Sequence, residues 1–494
     1  MARGLVLCGT TSDAGKSLLT AGMCRWLVRE GVRVAPFKSQ NMSNNSMVCA
    51  DGAEIGRAQW VQAVAARVVP EAAMNPVLLK PGSDRRSHVV LMGRPHGELG
   101  TGEWATGRAE LAKAAYAAFD DLASRYDVVL AEGAGSAAEV NLRSGDYVNL
   151  GLARAMDLPV LVVGDIDRGG VLAAMYGTWA LLEDADRAHL RGWIVNKFRG
   201  DVDLLRPGLS VVEDRTGLPV LGVVPWLDGA WLDGEDALTL GGWSRSVDTA
   251  PAAAGTLRVA VVGFPRLSNA TDVDALAAEP GVDVVVTADP DVIAEADLAV
   301  LPGSRSTMHD LGWLIDRGLR APLLARAARG APVLGICGGY QMLARRIADP
   351  DGIETGDGPR HVEGLGLLPT SVHFGADKVL GTPTGRWRGH EVWAYEIHHG
   401  VARLEDDAEA VACEPFLDGW STGAVFGTTW HGAFENDDFR RAFLTTVAEL
   451  AGSTYRPATS APGFAARRET MIERLADAVE EHLDTAFLRR LLQV

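Results

Sequence analysis

Strand-length apolar runs alternate with helical patterns through the N-terminal half of the chain. Leu5–Cys8, Val32–Pro36, Asp127–Ala131, Val160–Gly164, Gly192–Asn196 and Val220–Val224 are the candidate strands. Parallel strands are joined by crossover helices and are buried on both faces, so this alternation predicts an α/β fold around a parallel sheet. The pattern breaks at Ser244–Thr256, a low-complexity stretch rich in Ala, Ser and Thr that reads as a linker. A second alternation then begins with Leu257–Gly263, Val282–Val286, Leu298–Leu301 and Val333–Ile336. The expected organisation is a first domain over 1–243, a linker over 244–256, a second domain over 257–455 and a helical extension over 456–494. Within the second domain, Glu391–Glu396 and Gly423–Thr428 are expected as antiparallel additions, and Pro462–Leu492 carries an amphipathic helical pattern.

A chain of 494 residues exceeds what one core organises, which fits two or three domains. The net charge of −17 argues against a nucleic-acid partner, which rewards basic surface. Five scattered cysteines without a CxxC pair make neither a disulfide framework nor a zinc site and suit a reducing, cytoplasmic setting. No apolar run reaches membrane-spanning length, so no membrane partner is expected. Oligomeric state is left open.

Two loops carry chemistry. The first strand runs into Gly9-Thr10-Thr11-Ser12-Asp13-Ala14-Gly15-Lys16-Ser17, followed by a helical pattern. Backbone N–H groups of such a loop cradle phosphates, Lys16 can reach the β- and γ-oxygens, and Ser17 can hold Mg²⁺. Thr10, Thr11, Ser12, Asp13, Gly15, Lys16 and Ser17 are therefore ATP-binding candidates. The competing reading, an incidental Lys-Ser after a glycine turn, fits the strand–loop–helix context poorly. Glu132, ending the strand Asp127–Ala131, and Glu54 are candidate Mg²⁺ ligands, although a surface carboxylate is the bland alternative for each. Asp165 and Asp167 sit at another strand's carboxyl end, where loop-capping aspartates are equally common. Asn196, ending a further strand, is a candidate for reading the nucleotide base.

The second loop is Gly335-Ile336-Cys337-Gly338-Gly339-Tyr340, an apolar strand stopping at a cysteine before a new helix. At such an elbow the free N–H groups of the helix favour a thiolate, and the next amide can stabilise an oxyanion. His431, at the end of another apolar run, is the candidate base.

The phosphate loop has five residues between its glycines, and this longer form is similar to that of dethiobiotin-synthetase-like ATPases. Pro36–Asn45, Asp51–Gln59, Glu132–Gly135, Asn141–Asn149 and Gly164–Gly170 closely resemble the corresponding motifs of the cobyric acid synthase family. That resemblance implies a P-loop amidoligase domain fused to a class I glutamine amidotransferase domain. It also implies ATP, Mg²⁺ and L-glutamine, and a corrinoid substrate whose b, d, e and g carboxylates are amidated through acyl phosphates. By the same resemblance Lys38 holds substrate carboxylate and phosphate, Glu54 and Glu132 bind Mg²⁺, and Asp146 orients substrate. Gln40, Asn41 and Asn44 join the substrate group by motif membership, with Arg57 and Arg143 as further corrin-contact candidates. In the amidotransferase half, Cys337 is the implied nucleophile and His431 the acid–base, with oxyanion donors from Gly338 and from Gly303–Ser304. Such enzymes commonly read His-x-Glu, whereas here Gly432-Ala433 follows His431. The orienting acid is therefore expected from Glu435, from Glu396, or from nowhere. His398 and His399 are read as structural.

Overall fold

The computed structural model describes residues 3–83, 86–100, 104–231, 255–356, 358–406 and 412–494. The expected linker therefore lies outside the described residues apart from its last two positions. The chain divides into two compact units. The first comprises 1–43, 49–235 and 468–494; the second comprises 44–48 and 236–467.

In the first unit a six-stranded parallel sheet is built from β1 (Arg3–Gly9), β2 (Val34–Phe37), β3 (Val128–Glu132), β4 (Val160–Asp165), β5 (Leu190–Phe198) and β6 (Val220–Pro225). Their order across the sheet is β6-β5-β4-β1-β3-β2. All the strands foreseen here are present. Every residue of β2, β3 and β4 is buried, as a sheet covered on both faces demands. β1 is flanked by β4 and β3, so the loops leaving these three strands gather at one carboxyl edge, where open α/β sheets bind ligands. The loop after β1 enters α1 (Lys16–Arg29). A smaller sheet of Gln40–Met42, Val77–Ser83, Arg86–Leu91 and Arg94–Gly100 belongs to the same unit.

The expected C-terminal extension is two helices, Phe464–His482 and Thr485–Leu492, and residues from 468 onward pack within the first unit. Ile472, Leu475, Ala476, Val479, Leu488 and Leu492 enter the core formed by α1 and one face of the sheet. Arg25, 1% exposed, is held by Glu469 and Glu473 of that helix. A Cβ on Gly22 would meet Leu475 O at 2.6 Å, so helix Phe464–His482 lies against α1 at glycine-only distance.

The second unit holds a seven-stranded sheet of β7 (Leu257–Val262), β8 (Val282–Thr287), β9 (Leu298–Leu301), β10 (Val333–Ile336), β11 (Cys413–Phe416), β12 (Gly419–Thr422) and β13 (Val425–Thr428). Its order is β8-β7-β9-β10-β13-β12-β11. The segment ending at Thr428 departs from expectation: β13 runs parallel to β10, and only β12 and β11 beyond it are antiparallel. Both faces of β13 are buried, so the segment belongs to the parallel core. This register delivers the residues after Thr428 to the same edge as the residue after Ile336.

Candidate active sites

Cys337 sits between β10 and the helix Gly338–Leu343 at φ +50°, ψ −109°, a conformation that costs a non-glycine residue energy. The elbow is locked from below. Gly339 N donates to Pro302 O at 3.1 Å, and a Cβ on Gly339 would fall 1.9 Å from Leu301 O. Only a glycine after the cysteine allows this approach to the loop leaving β9. The same loop faces Gly338, where a Cβ would lie 2.8 Å from Ser304 N. Gly338 and Ser304, two of the expected oxyanion residues, thus lie side by side.

His431 follows β13 and is fixed by reciprocal bonds, its N donating to Tyr395 O at 2.8 Å and its O accepting from Tyr395 N at 2.9 Å. The Tyr395 ring stacks on the imidazole at 5.4 Å. Neither Glu435 nor Glu396 orients the imidazole. Nδ1 of His431 lies 2.6 Å from Asp272 Oδ2, and Gly432 N donates to Asp272 Oδ1 at 2.6 Å. Asp272 lies in the first turn of α2 (Thr271–Ala277), the first helix after β7. His431 and Asp272 side chains are 1% and 2% exposed, which keeps the pair out of screening water. Glu396 faces His398 instead, at 3.7 Å, and Glu435 lies in the 3₁₀ turn Ala433–Glu435.

The electrostatics single out one thiol. Burial pushes the Cys8, Cys24 and Cys49 thiols up. Burial acts on Cys337 in the same sense, but His431, His398 and the Gly338 amide outweigh it and bring this thiol below its ordinary value. Burial by itself would lower the His431 imidazolium; the Asp272 carboxylate and the Cys337 thiolate overcome that and raise it. Each partner therefore favours the charged form of the other. His398, read above as structural, also acts on the sulfur. Burial opposes its protonated form, while Glu396 and Cys337 raise its pKa.

In the first unit the Lys16 side chain reaches back across the phosphate loop. Lys16 Nζ donates to Thr11 O at 3.2 Å and Gly135 O at 3.3 Å. Gly15 enters α1 at φ +89°, and a Cβ there would fall 2.1 Å from Asn196 Nδ2. Asn196 is committed to this loop, donating to Ala14 O at 2.9 Å. It therefore braces the phosphate cradle as well as bordering a cavity lined by Leu18, Leu19, Lys197, Pro225 and Trp226. Thr10 N donates to Val163 O, and Asp13 pairs with Arg168 at 3.2 Å, leaving Ser12 exposed at the loop tip.

Glu132, at the end of β3, receives Ser17 Oγ at 2.8 Å and Lys38 Nζ at 2.7 Å on one oxygen, and Gln62 Nε2 at 2.7 Å on the other. Burial would raise its carboxyl, but Lys38 above all, with Gln62 and Lys16, holds it ionised below the usual range. An ionised carboxylate touching the phosphate-loop serine fits a divalent cation. Glu54 is fully buried and pairs with Lys80. Gln40 accepts from Tyr147 Oη at 2.5 Å, and Asn41 donates to Gln59 Oε1 at 3.0 Å. Asp146 is engaged by backbone: Val148 N and Asn149 N donate to one oxygen and Gly151 N to the other, each within 2.9 Å. That geometry makes it an anchor for the start of helix Leu150–Met156. Arg143 likewise pairs with buried Asp186, and Arg57 lies over the Trp60 ring. Asn44 counts with the second unit, apart from Lys38, Gln40 and Asn41.

Residues 5–237 match the CobQ/CobB/MinD/ParA nucleotide binding domain, and residues 258–439 match the CobB/CobQ-like glutamine amidotransferase domain. A cobyric acid synthase of Cutibacterium acnes is 61% identical over 97% of this chain and 98% of its own. Those of Mycolicibacterium gilvum and Mycobacterium marinum are 58% and 57% identical, each over 97% of this chain and 95% of its own. The chain belongs to the cobyric acid synthase family. Its first unit is the nucleotide-binding half and its second the amidotransferase half, as the resemblance implied. Sequence reasoning missed Asp272 because it looked beside His431. The available signal was weak: an aspartate two residues after Asn269-Ala270, at the start of the first helix following β7.

Proposed function

We propose that this chain is an ATP- and glutamine-dependent amidoligase that converts the b, d, e and g carboxylates of adenosylcobyrinic acid a,c-diamide into amides. The observation that carries the reading is the pairing of a buried Cys337–His431–Asp272 constellation in one unit with a phosphate loop, Glu132 and Lys38 in the other, in a chain 57–61% identical to cobyric acid synthases.

In the amidotransferase half, Cys337 attacks the glutamine amide carbon, and the developing oxyanion meets Gly338 N and the Gly303–Ser304 backbone. His431 passes its proton to the departing ammonia, while Asp272 keeps the imidazole in the needed tautomer and balances its charge. Water then hydrolyses the glutamyl thioester. In the nucleotide-binding half, Ser17 and Glu132 are the residues that would hold Mg²⁺, and the cavity beside α1 suits a purine, with apolar walls from Leu18, Leu19 and Pro225. When bound, Mg²⁺-ATP supplies the phosphoryl group that gives a substrate carboxylate a leaving group. Lys16 is placed to offset charge on the phosphates, and Lys38, drawn to Glu132, to hold the incoming carboxylate. A low-pKa catalytic thiol supports a reducing cytoplasmic setting, and no described helix is long and apolar enough to cross a membrane.

Mass spectrometry of the a,c-diamide incubated with enzyme, ATP and glutamine tests the reading. Four successive losses of about one mass unit are expected, one for each carboxylic acid converted to an amide, and no corrinoid product would refute it. Cys337→Ala should abolish the glutamine route and leave synthesis from added ammonia intact; loss of both in a folded variant would overturn the two-site scheme.

A further inference from the structure

The Lys38–Asn45 motif does not end in the unit where it begins. Lys38–Ser43 belong to the nucleotide-binding unit, but residues 44–48 count with the amidotransferase unit, and the chain returns at Cys49. Within the amidotransferase unit this five-residue strap is tied by a reciprocal pair of hydrogen bonds. Ala270 N donates to Asn45 Oδ1 at 3.1 Å, and Ser46 N donates to Asn269 Oδ1 at 2.9 Å. Each segment offers one side-chain oxygen and one backbone N–H, so a slip of one residue breaks both bonds. Asn45, Ser46 and Asn269 are 2%, 0% and 4% exposed, so a broken bond would leave buried polar groups unsatisfied.

The turn that the strap grips carries catalytic parts on both sides. One residue before it, Ser268 N donates to Gly303 O at 2.9 Å, on the loop that faces Gly338. Asn269 itself is held at φ +49°, in the left-handed region, and its carbonyl accepts from Asp272 N at 3.3 Å. Asp272 in turn grips His431 and Gly432 at 2.6 Å each. Residues 268–272 therefore link the strap to the oxyanion loop and to the acid behind the base.

We infer that the strap is a positioning device for the glutaminase site, with Asn45 as its principal residue. Asn45 and Ser46 hold the Asn269–Ala270 turn, and that turn sets Asp272 and the Gly303 loop. The strap is also the direct continuation of Lys38–Ser43. Trans peptides have a fixed length, so Ser43 and Asn45 stay within about 7 Å and few backbone torsions lie between a shift of Ser43 and Asn45. The state of the synthetase motif thereby biases the glutaminase, and ammonia is released fastest when a carboxylate is ready to take it. This second part rests on the assignment of Lys38, Gln40 and Asn41 to the amidoligase site proposed above.

The test uses the full-length enzyme with Asn45→Ala and Asn45→Asp, the latter keeping an acceptor for Ala270 N. Three rates are compared: glutamine hydrolysis alone, glutamine hydrolysis with ATP and the a,c-diamide, and amide formation from added ammonia. Asn45→Ala should lower kcat for glutamine hydrolysis, with its stimulation by ATP and corrinoid falling roughly 5- to 50-fold toward no stimulation. Amide formation from ammonia should stay within about twofold, and Asn45→Asp should restore most of the coupling. Unchanged basal and stimulated hydrolysis in Asn45→Ala would overturn the inference. So would an equal loss of the ammonia route, which would make Asn45 a part of the substrate site. A wild-type chain that forms no corrinoid amide would refute the functional reading instead, and basal hydrolysis by Asn45→Ala would still decide the positioning role.

Discussion

Replacing Asp272 by asparagine removes one charge and reverses one hydrogen bond without changing the side chain's size. The asparagine oxygen can still accept from Gly432 N. Its NH₂ group then faces His431 Nδ1, which must become an acceptor, so the ring proton moves to Nε2 and the base can no longer take a proton from Cys337. The electrostatic loss can be scaled from the geometry. With Nδ1 and Oδ2 2.6 Å apart and both residues buried, the delocalised charges are centred about 4 Å apart. At an effective dielectric near 20 that interaction is about 4 kcal/mol, or roughly a thousandfold in rate if most of it is felt by the imidazolium. Glutamine hydrolysis, followed as glutamate release, should fall by roughly 10³-fold, while synthesis from added ammonia persists. The pH profile should change in a defined sense. The carboxylate raises the His431 pKa, and the imidazolium lowers that of Cys337. Without the carboxylate the alkaline limb of kcat/KM for glutamine moves to lower pH and the acid limb to higher pH, so the active window narrows from both sides. A variant retaining more than about a tenth of wild-type hydrolysis, with both limbs unmoved, would refute this account. So would the same collapse in Glu435→Gln with Asp272 intact.

Lys16→Ala should abolish amide formation from both glutamine and ammonia while some glutamine hydrolysis survives; ATP turnover and glutamate release measured side by side check it, and synthesis from ammonia at wild-type rate would contradict the phosphate-loop assignment. Arg440 and Glu279 form an ion pair in the amidotransferase unit in which each side chain is 1% exposed, and Arg440 also donates to Phe434 O at 2.8 Å. Arg440→Ala takes from this buried carboxylate its fully buried partner and leaves Arg441 at 2.9 Å, costing about 3 kcal/mol. In a unit of this size that is a fall in Tm of about 6–12 °C by calorimetry, and a fall below about 2 °C would show that the buried pair contributes little.

The features legible in the sequence are those whose chemistry is contiguous. A phosphate loop must carry its glycines, lysine and serine on one short turn between strand and helix. The nucleophile elbow likewise needs an apolar strand, a cysteine and small residues in immediate succession. Both alternations of strand and helix also appear, because a strand buried on two faces is written as an unbroken apolar run. The segment ending at Thr428 was misjudged in direction for the same reason: its residues report burial, and only the pairing with β10 reports that it runs parallel.

What the tertiary structure decided is everything joined through space. Asp272 reaches His431 from an element far earlier in the chain, and a carboxylate needs only to arrive within hydrogen-bond distance, so no spacing in the sequence records the pair. Asp146 anchors the start of a helix, a role that rests on the three N–H groups around it and that its motif does not record. Asn44 and Asn45 read as the end of one motif, yet they fold with the other unit, because packing ignores the boundaries of a motif. The sequence by itself determined the two chemistries and the two sheets that carry them. Which carboxylate meets the histidine was decided only when distant parts of the chain were brought together.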